Sequence, residues 1–433
     1  MKCCQIKCLL LVKVLKKKNF FFLRSWKFFS IAAIPGFLSN FWVIFRSPNY
    51  LDGDDFIEWA VLSSTLVLIS CFSQVGIKPG YMQEVTDLGL SQRSRALKTS
   101  LIVLAWTGGL AGIIVMVPFY ILSMYEEWNN TSVLFVMPLL CISTNLYVIF
   151  QTDLRINKMA DVLANMAIVQ TIIFFLFFET FLFAGLDFLL SFYMGTALSL
   201  TTICIFLWSK SNIHSGLSID YTFVRRALKM GSFFLASLLC RYASDAIVMG
   251  SFKWLSSNTI GGLLGISVKL SEPIVLLYFT AIQMAWGSHV YSWIKEEPKK
   301  LLSYSNWVST LLLIGFFIGF GICFFICSTL FNSVSFTQVL PFVLMLLSRA
   351  TAFAFLTTVG FGQTIKRSYK SGFKFNLFEL LLTVCLTLLC LQYSNWIVAT
   401  VICGLLPWLT VFLLRTDSLN VLKKTLQNHI KYS

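Results

Sequence analysis

Five charged residues lie inside apolar stretches where charge is costly. Arg241 and Asp245 stand four positions apart, Lys269 and Glu272 three apart, and Arg349 stands within the run Leu346 to Thr351. Residues at these spacings meet on one face of a helix, so each pair can neutralise itself locally. A second reading is also open: the pairs line a wet cavity, where a base binds an anionic head group and an acid takes up a coupling proton or cation. Arg349 has no acidic residue within helical reach. Its guanidinium fork suits phosphate, which makes it the candidate cargo contact, with a bridge to Asp245 or Glu272 as the competing explanation. The expected assignment is Arg349, Arg241 and Lys269 for substrate binding, and Asp245 and Glu272 for ion coupling.

The elements that must position these residues are membrane helices. Of the 433 residues, 57% are hydrophobic and only 12% are charged, whereas soluble chains carry about 25% charged residues. A charge at the centre of a membrane helix costs roughly 2.5 to 3.5 kcal/mol, so the five should face a polar interior rather than lipid. Apolar runs of helical length predict spans near Phe28–Phe45, Ile57–Val75, Leu101–Leu122, Val133–Phe150, Leu163–Phe183 and Phe188–Trp208. A hairpin within Gly231–Gly287 supplies two more, followed by spans near Val308–Cys327, Val339–Val359, Phe375–Leu391 and Trp396–Leu414. Lys78, Arg93, Lys98, Arg155, Lys210, Lys295, Lys300, Lys366, Lys370, Lys423 and Lys424 fall in alternate loops, and the loops between hold Asp52, Asp54, Asp55, Glu126 and Glu127. By the positive-inside rule this predicts about twelve spans with both termini cytoplasmic. Trp59, Trp128, Trp254, Trp286, Trp293 and Trp396 are expected in an interfacial belt.

The domain plan is a basic cytoplasmic segment 1–27, a first six-helix half 28–208, a polar linker 209–229, a second half 230–414 and a basic tail 415–433. Residues Leu51 to Phe56 and Leu255 to Ile260 each precede the second helix of a hairpin. Pro138 and Pro341 repeat at nearly the same offset, which suggests two parallel halves around a central cavity. The fold class is therefore an all-α integral membrane protein.

Other chemistry is not written into the chain. His214, His289 and His429 lack the partners of membrane acyltransferases, and there is neither a Walker-type loop nor a nucleophile elbow, so no enzyme is expected. The cysteines are mostly solitary within apolar runs and predict neither disulfides nor a metal site. No cofactor is expected. The net charge of +15 follows from topology and does not point to nucleic acid. Glu179 and Glu379 lie near predicted helix ends and are expected to reach interfacial water. Asn40, Asn145, Gln170 and Gln283 are expected to bond between helices or to sugar hydroxyls.

Lys229 to Ser232, Arg241 to Gly250, Gly265 to Leu270 and Gln283 to Trp286, with the opening hairpin Leu51 to Phe56 and Gly76-Ile77, resemble the O-antigen and polysaccharide flippases of the multidrug/oligosaccharidyl-lipid/polysaccharide (MOP) exporter superfamily. The resemblance implies alternating-access movement of an undecaprenyl-diphosphate-linked oligosaccharide across the bacterial inner membrane. It also implies contact with membrane lipids and with other glycan-assembly membrane proteins. One departure is plain: the first-half spans hold almost no basic residue, so the family's cationic lining would come from the second half alone. A multidrug or organic-cation antiporter of the same superfamily is the alternative, and a glycan polymerase or ligase is a more distant one.

Overall fold

The computed structural model describes residues 27, 29–85, 90–125, 131–157, 159–210, 219–296, 300–330, 336–366, 369–393 and 395–432. The segment 1–26 and the stretch holding Glu126, Glu127 and Trp128 lie outside these, as does His214. Among the described residues there is no strand, and twelve helices are long and apolar enough to cross a membrane. They are α1 (Phe29–Asn49), α2 (Asp54–Ser73), α3 (Gln92–Val117), α4 (Ser132–Ile156), α5 (Asp161–Phe183) and α6 (Phe188–Lys210) in the first half. The second half holds α7 (Tyr221–Leu255), α8 (Asn258–Gly287), α9 (Leu301–Thr329), α10 (Phe336–Lys366), α11 (Lys370–Gln392) and α12 (Trp396–Thr425).

Local chemistry sets where the helices begin. At the head of α2 the Asp52 carboxylate accepts from the amides of Asp54 and Asp55, and Asp55 accepts from the Asp52 amide, forming a reciprocal capping box. Asp187 caps α6 through the amides of Leu189 and Leu190, and Asp220 caps α7 through Phe223. The last cap alters the expected domain plan. The segment 209–229 was expected to be a linker, but α7 is already helical from Tyr221, because the Asp220 cap starts the helix well before the apolar run does.

The halves meet along α2. At the end holding the turns 51–53, 184–187 and 256–257, here the hairpin end, Ile57, Ala60 and Val61 of α2 are buried against Val248, Met249 and Phe252 of α7 and Leu264 of α8. Gly265 presses on the backbone of Phe56 and Ile57, where a β-carbon would collide. Two polar contacts cross the joint there: Lys253 to Glu58 at 3.1 Å and Asn258 to Asp54 at 3.1 Å. At the opposite, basic end the chain turns through Val75 and Gly76 (φ 43° and 83°) into the short helix Ile77–Val85. Gly76 and Gly80 there lie directly on the backbone of Gly231 and Ala227, and Arg226 pairs with Glu84 at 3.1 Å.

α8 is interrupted. Pro273 stands inside it, and Val275–Thr280 follows as a π turn. Proline has no amide proton for the bond to the carbonyl four residues back, which is that of Lys269, and the wider turn absorbs the mismatch. The interruption falls one residue after Glu272.

Candidate functional site

A cavity of 460 Å³ lies between the halves. α2 contributes Ser63 and Ser64, α7 contributes Arg241, Tyr242 and Asp245, α8 contributes Ser271, Glu272 and Gln283, and α10 contributes Arg349 and Phe353. Four of the five charged residues picked from the sequence therefore line one space. The fifth, Lys269, is buried behind Glu272.

Arg349 does find a carboxylate, but not on its own helix. Its Nε donates to Asp245 Oδ1 at 2.9 Å and its Nη2 reaches the same oxygen. Nη1 donates to the Cys403 carbonyl at 3.0 Å, and Nη2 also donates to Ser244 Oγ at 3.1 Å. The Arg349 side chain is 7% exposed and ties α7, α10 and α12 together within the second half. The competing explanation offered for Arg349, a bridge to Asp245, is the one seen.

The expected Arg241–Asp245 pair is absent. Asp245 is taken by Arg349, and the Arg241 guanidinium lies against the ring of Phe353. Among the described residues Arg241 makes no ion pair. Helical spacing permitted the pair, but a buried guanidinium on a neighbouring helix outcompetes a partner one turn away.

Lys269 and Glu272 do pair, at 3.1 Å to each carboxylate oxygen. The same ammonium donates to Ser63 Oγ of α2 at 3.0 Å and sits 4.0 Å from the centroid of the Trp59 ring. Ser63 in turn meets the Tyr193 hydroxyl of α6 at 3.1 Å. All three ammonium hydrogens are thus occupied, and Lys269 links the halves. Trp59, expected at an interface, is 1% exposed beneath it. Trp286 and Trp293 are buried as well.

The charge balance of the site follows. Arg241, Lys269 and Arg349 stand against Asp245 and Glu272. Lys269 and Arg349 are held by these acids, the buried Glu379 lies near Arg241 and Arg349, and Arg241 is left as the cavity-lining base with no ion pair among the described residues. An anion about 4 Å from it would gain on the order of 4 kcal/mol at an effective dielectric constant near 20.

Other polar residues behave variously. Asn145 bridges α4 to Ser70 and Ser73 of α2, and Gln283 lines the cavity. Glu179 accepts from Trp42 and Arg46 of α1. Glu379 does not reach interfacial water: it is 4% exposed inside the second half and accepts from Thr410 at 3.3 Å. Ser63 and Tyr193 carry no sign in the sequence of their part in this site, and Trp59 reads there only as an interfacial aromatic. The only available signal was the four-residue spacing that puts Trp59 and Ser63 on one face of α2.

No protein-family model matches the chain, and no curated protein sequence matches it. Solved structures do. An inward-facing conformation of a multidrug resistance MATE family transporter of the MOP superfamily aligns with a TM-score of 0.63 at 10% identity, covering 91% of this chain and 96% of that one. An outward-facing conformation of such a transporter aligns with a TM-score of 0.66 at 9% identity, covering 93% and 95%. A MATE in the straight conformation aligns at 0.59 and 13% identity, covering 93% and 96%. The chain thus has the twelve-helix fold of the MATE transporters of the MOP superfamily. These neighbours are similar in fold and do not single out the polysaccharide branch.

Proposed function

We propose that this chain is an alternating-access transporter, not an enzyme, and that it moves amphipathic organic molecules with neutral or anionic polar heads. The observation that carries this reading is the unpaired charge of Arg241 in a cavity whose other charges are matched. A transporter selective for organic cations calls for carboxylates free to meet the cargo, and here the two cavity-lining carboxylates, Asp245 and Glu272, are each held by a base. The cavity volume falls in the range of drug-sized ligands, about 300 to 1,000 Å³. The fold neighbours, multidrug resistance transporters, favour multidrug transport over oligosaccharide flipping. Inward-facing and outward-facing conformations of such a transporter both align with this chain, which supports alternation between two states. In this reading the basic end faces the cytoplasm, where both chain ends would lie, and the membrane is the bacterial inner membrane.

A second reading is the lipid-linked oligosaccharide flippase, with other glycan-assembly membrane proteins as its associates. The same Arg241 favours it, because a diphosphate is a stronger anion than most drugs, and the resemblance of the two hairpins favours it too. Inverted vesicles separate the readings. Accumulation of an anionic dye, absent without the protein and lost in Arg241→Ala, supports export of anionic amphiphiles. Translocation of a fluorescent polyprenyl-diphosphate oligosaccharide without any dye transport supports the flippase. Transport of cationic dyes alone contradicts both.

A further inference from the structure

We propose that Lys78 and Arg155 form a binding site for a phosphate group at the basic end of the first half, apart from the cavity and independent of its cargo. The phosphate belongs to a lipid head group or to a soluble ion, two sources that share one chemistry.

The turn that follows α2 builds the site. Val75 and Gly76 take φ values of 43° and 83° there, and the chain continues as the short helix Ile77–Val85. Tyr81 fastens this helix to α4 by donating to Asp153 Oδ1 at 2.6 Å. Lys78 stands three residues before Tyr81 and so shares its helix face. Arg155 lies two residues beyond Asp153, in the last turn of α4. The two bases are close enough that the charge of Arg155 acts on Lys78.

The carboxylates on these two elements are committed elsewhere. Besides Tyr81, Asp153 accepts from Asn157 at 2.9 Å and lies 3.5 Å from Arg93. Glu84 pairs with Arg226 of α7. Among the described residues neither Lys78 nor Arg155 makes an ion pair. Arg155 has two long bonds back to its own helix, from Nε to the Gln151 carbonyl and from Nη2 to Thr152 Oγ1, each 3.3 Å. Among the described residues its Nη1 and the Lys78 ammonium have no hydrogen-bond partner. Both residues are half-buried, which strengthens the repulsion between them and still leaves a path for an ion from the aqueous phase.

Two like charges held together in such a place are unfavourable, and there are two remedies. One is loss of the Lys78 proton, whose pKa burial and Arg155 lower to about 8. The other is an anion. A guanidinium beside an ammonium suits a tetrahedral oxyanion, since the fork takes two oxygens and the point charge a third. A phosphate monoester carries about −1.5 to −2 at neutral pH, close to the opposite of the charge on the pair. The bound anion also braces the joint between the halves, because the helix it fixes lies through Gly80 on the backbone of Ala227, next to the contact of Gly76 with Gly231.

The test uses the full chain and reads the shift in melting temperature on adding the anion, so the starting value of each variant does not enter. Inorganic phosphate is titrated into protein held in nanodiscs of galactosyl diacylglycerol, a lipid without phosphate, with chloride at equal ionic strength as the reference. A second arm compares those nanodiscs with nanodiscs of phosphatidylglycerol. A saturable rise of roughly 2 °C or more with inorganic phosphate and none with chloride marks a soluble source. A rise of that size in phosphatidylglycerol, with inorganic phosphate inert, marks a lipid source. Either rise supports the proposal when it is lost in both Lys78→Met and Arg155→Gln. Lys78→Met removes a half-buried charge without breaking a contact, and it decides the matter if Arg155→Gln fails to fold. No rise from either source, or a rise of full size in either variant, overturns the proposal.

Discussion

Asn258 donates a hydrogen bond to Asp54 at 3.1 Å across the joint of the two halves, and the two residues are 204 positions apart in the chain. They belong to the two stretches whose likeness suggested an internal repeat, so the repeated hairpin heads meet each other. Close by, Lys253 and Glu58 pair at 3.1 Å with side chains only 14% exposed.

Lys253→Met is therefore expected to weaken this joint measurably. A double-mutant cycle with Glu58→Gln, read by thermal unfolding in detergent, should give a coupling of about 1 to 3 kcal/mol. Additive single effects would show that the pair contributes nothing beyond its members.

Arg349 and Arg241 should separate stability from transport. Arg349→Ala leaves Asp245 and Ser244 without the guanidinium that binds them, at a cost of roughly 3 to 5 kcal/mol. Arg349→Lys should recover only part of this, since an ammonium cannot span Asp245, Ser244 and the Cys403 carbonyl as a planar fork does. Arg241→Ala, lacking such partners, should change the melting temperature far less. Melting curves of the three variants in one detergent check the order.

Lys78 offers a pH test outside the spans. Burial, and then the nearby positive charge of Arg155, lower its pKa from 10.5 to about 8. A base whose folded pKa is lowered penalises folding in full below about 8, and the penalty fades as pH rises from there toward 10.5. Lys78→Met should therefore stabilise the protein at neutral pH, on the order of 1 kcal/mol after discounting for partial exposure. The gain should vanish above the unfolded-state pKa. Chemical unfolding followed across that window gives the comparison.

Much of the fold was legible because membrane insertion leaves a strong mark. Apolar runs of helical length and the alternation of Lys and Arg among the loops gave the twelve spans with small errors at their ends. The larger differences are at the polar ends, where α3 starts at Gln92, α12 runs on to Thr425, and the first turns of α7 depend on the Asp220 cap and on packing of Gly231 against Gly76. The candidate site was legible as a set of residues but not as a set of pairs. Periodicity shows which residues share a helix face and not which face meets another helix. Lys269 and Glu272 are neighbours in sequence, and their pairing was foreseeable. Arg349 and Asp245 lie 104 positions apart, so only the packed bundle reveals that Asp245 serves Arg349 and leaves Arg241 over Phe353. Glu379 follows the same rule: its place near a helix end suggests access to water, and contacts from neighbouring helices bury it.

The measurement closest to the central claim is uptake of an anionic amphipathic dye into inverted vesicles by the intact chain and by Arg241→Ala and Arg241→Lys. The account predicts loss of transport in Arg241→Ala at unchanged protein level, with partial recovery in Arg241→Lys, which keeps the charge. Undiminished anion transport in Arg241→Ala, or transport of cationic dyes alone by the intact protein, would contradict it.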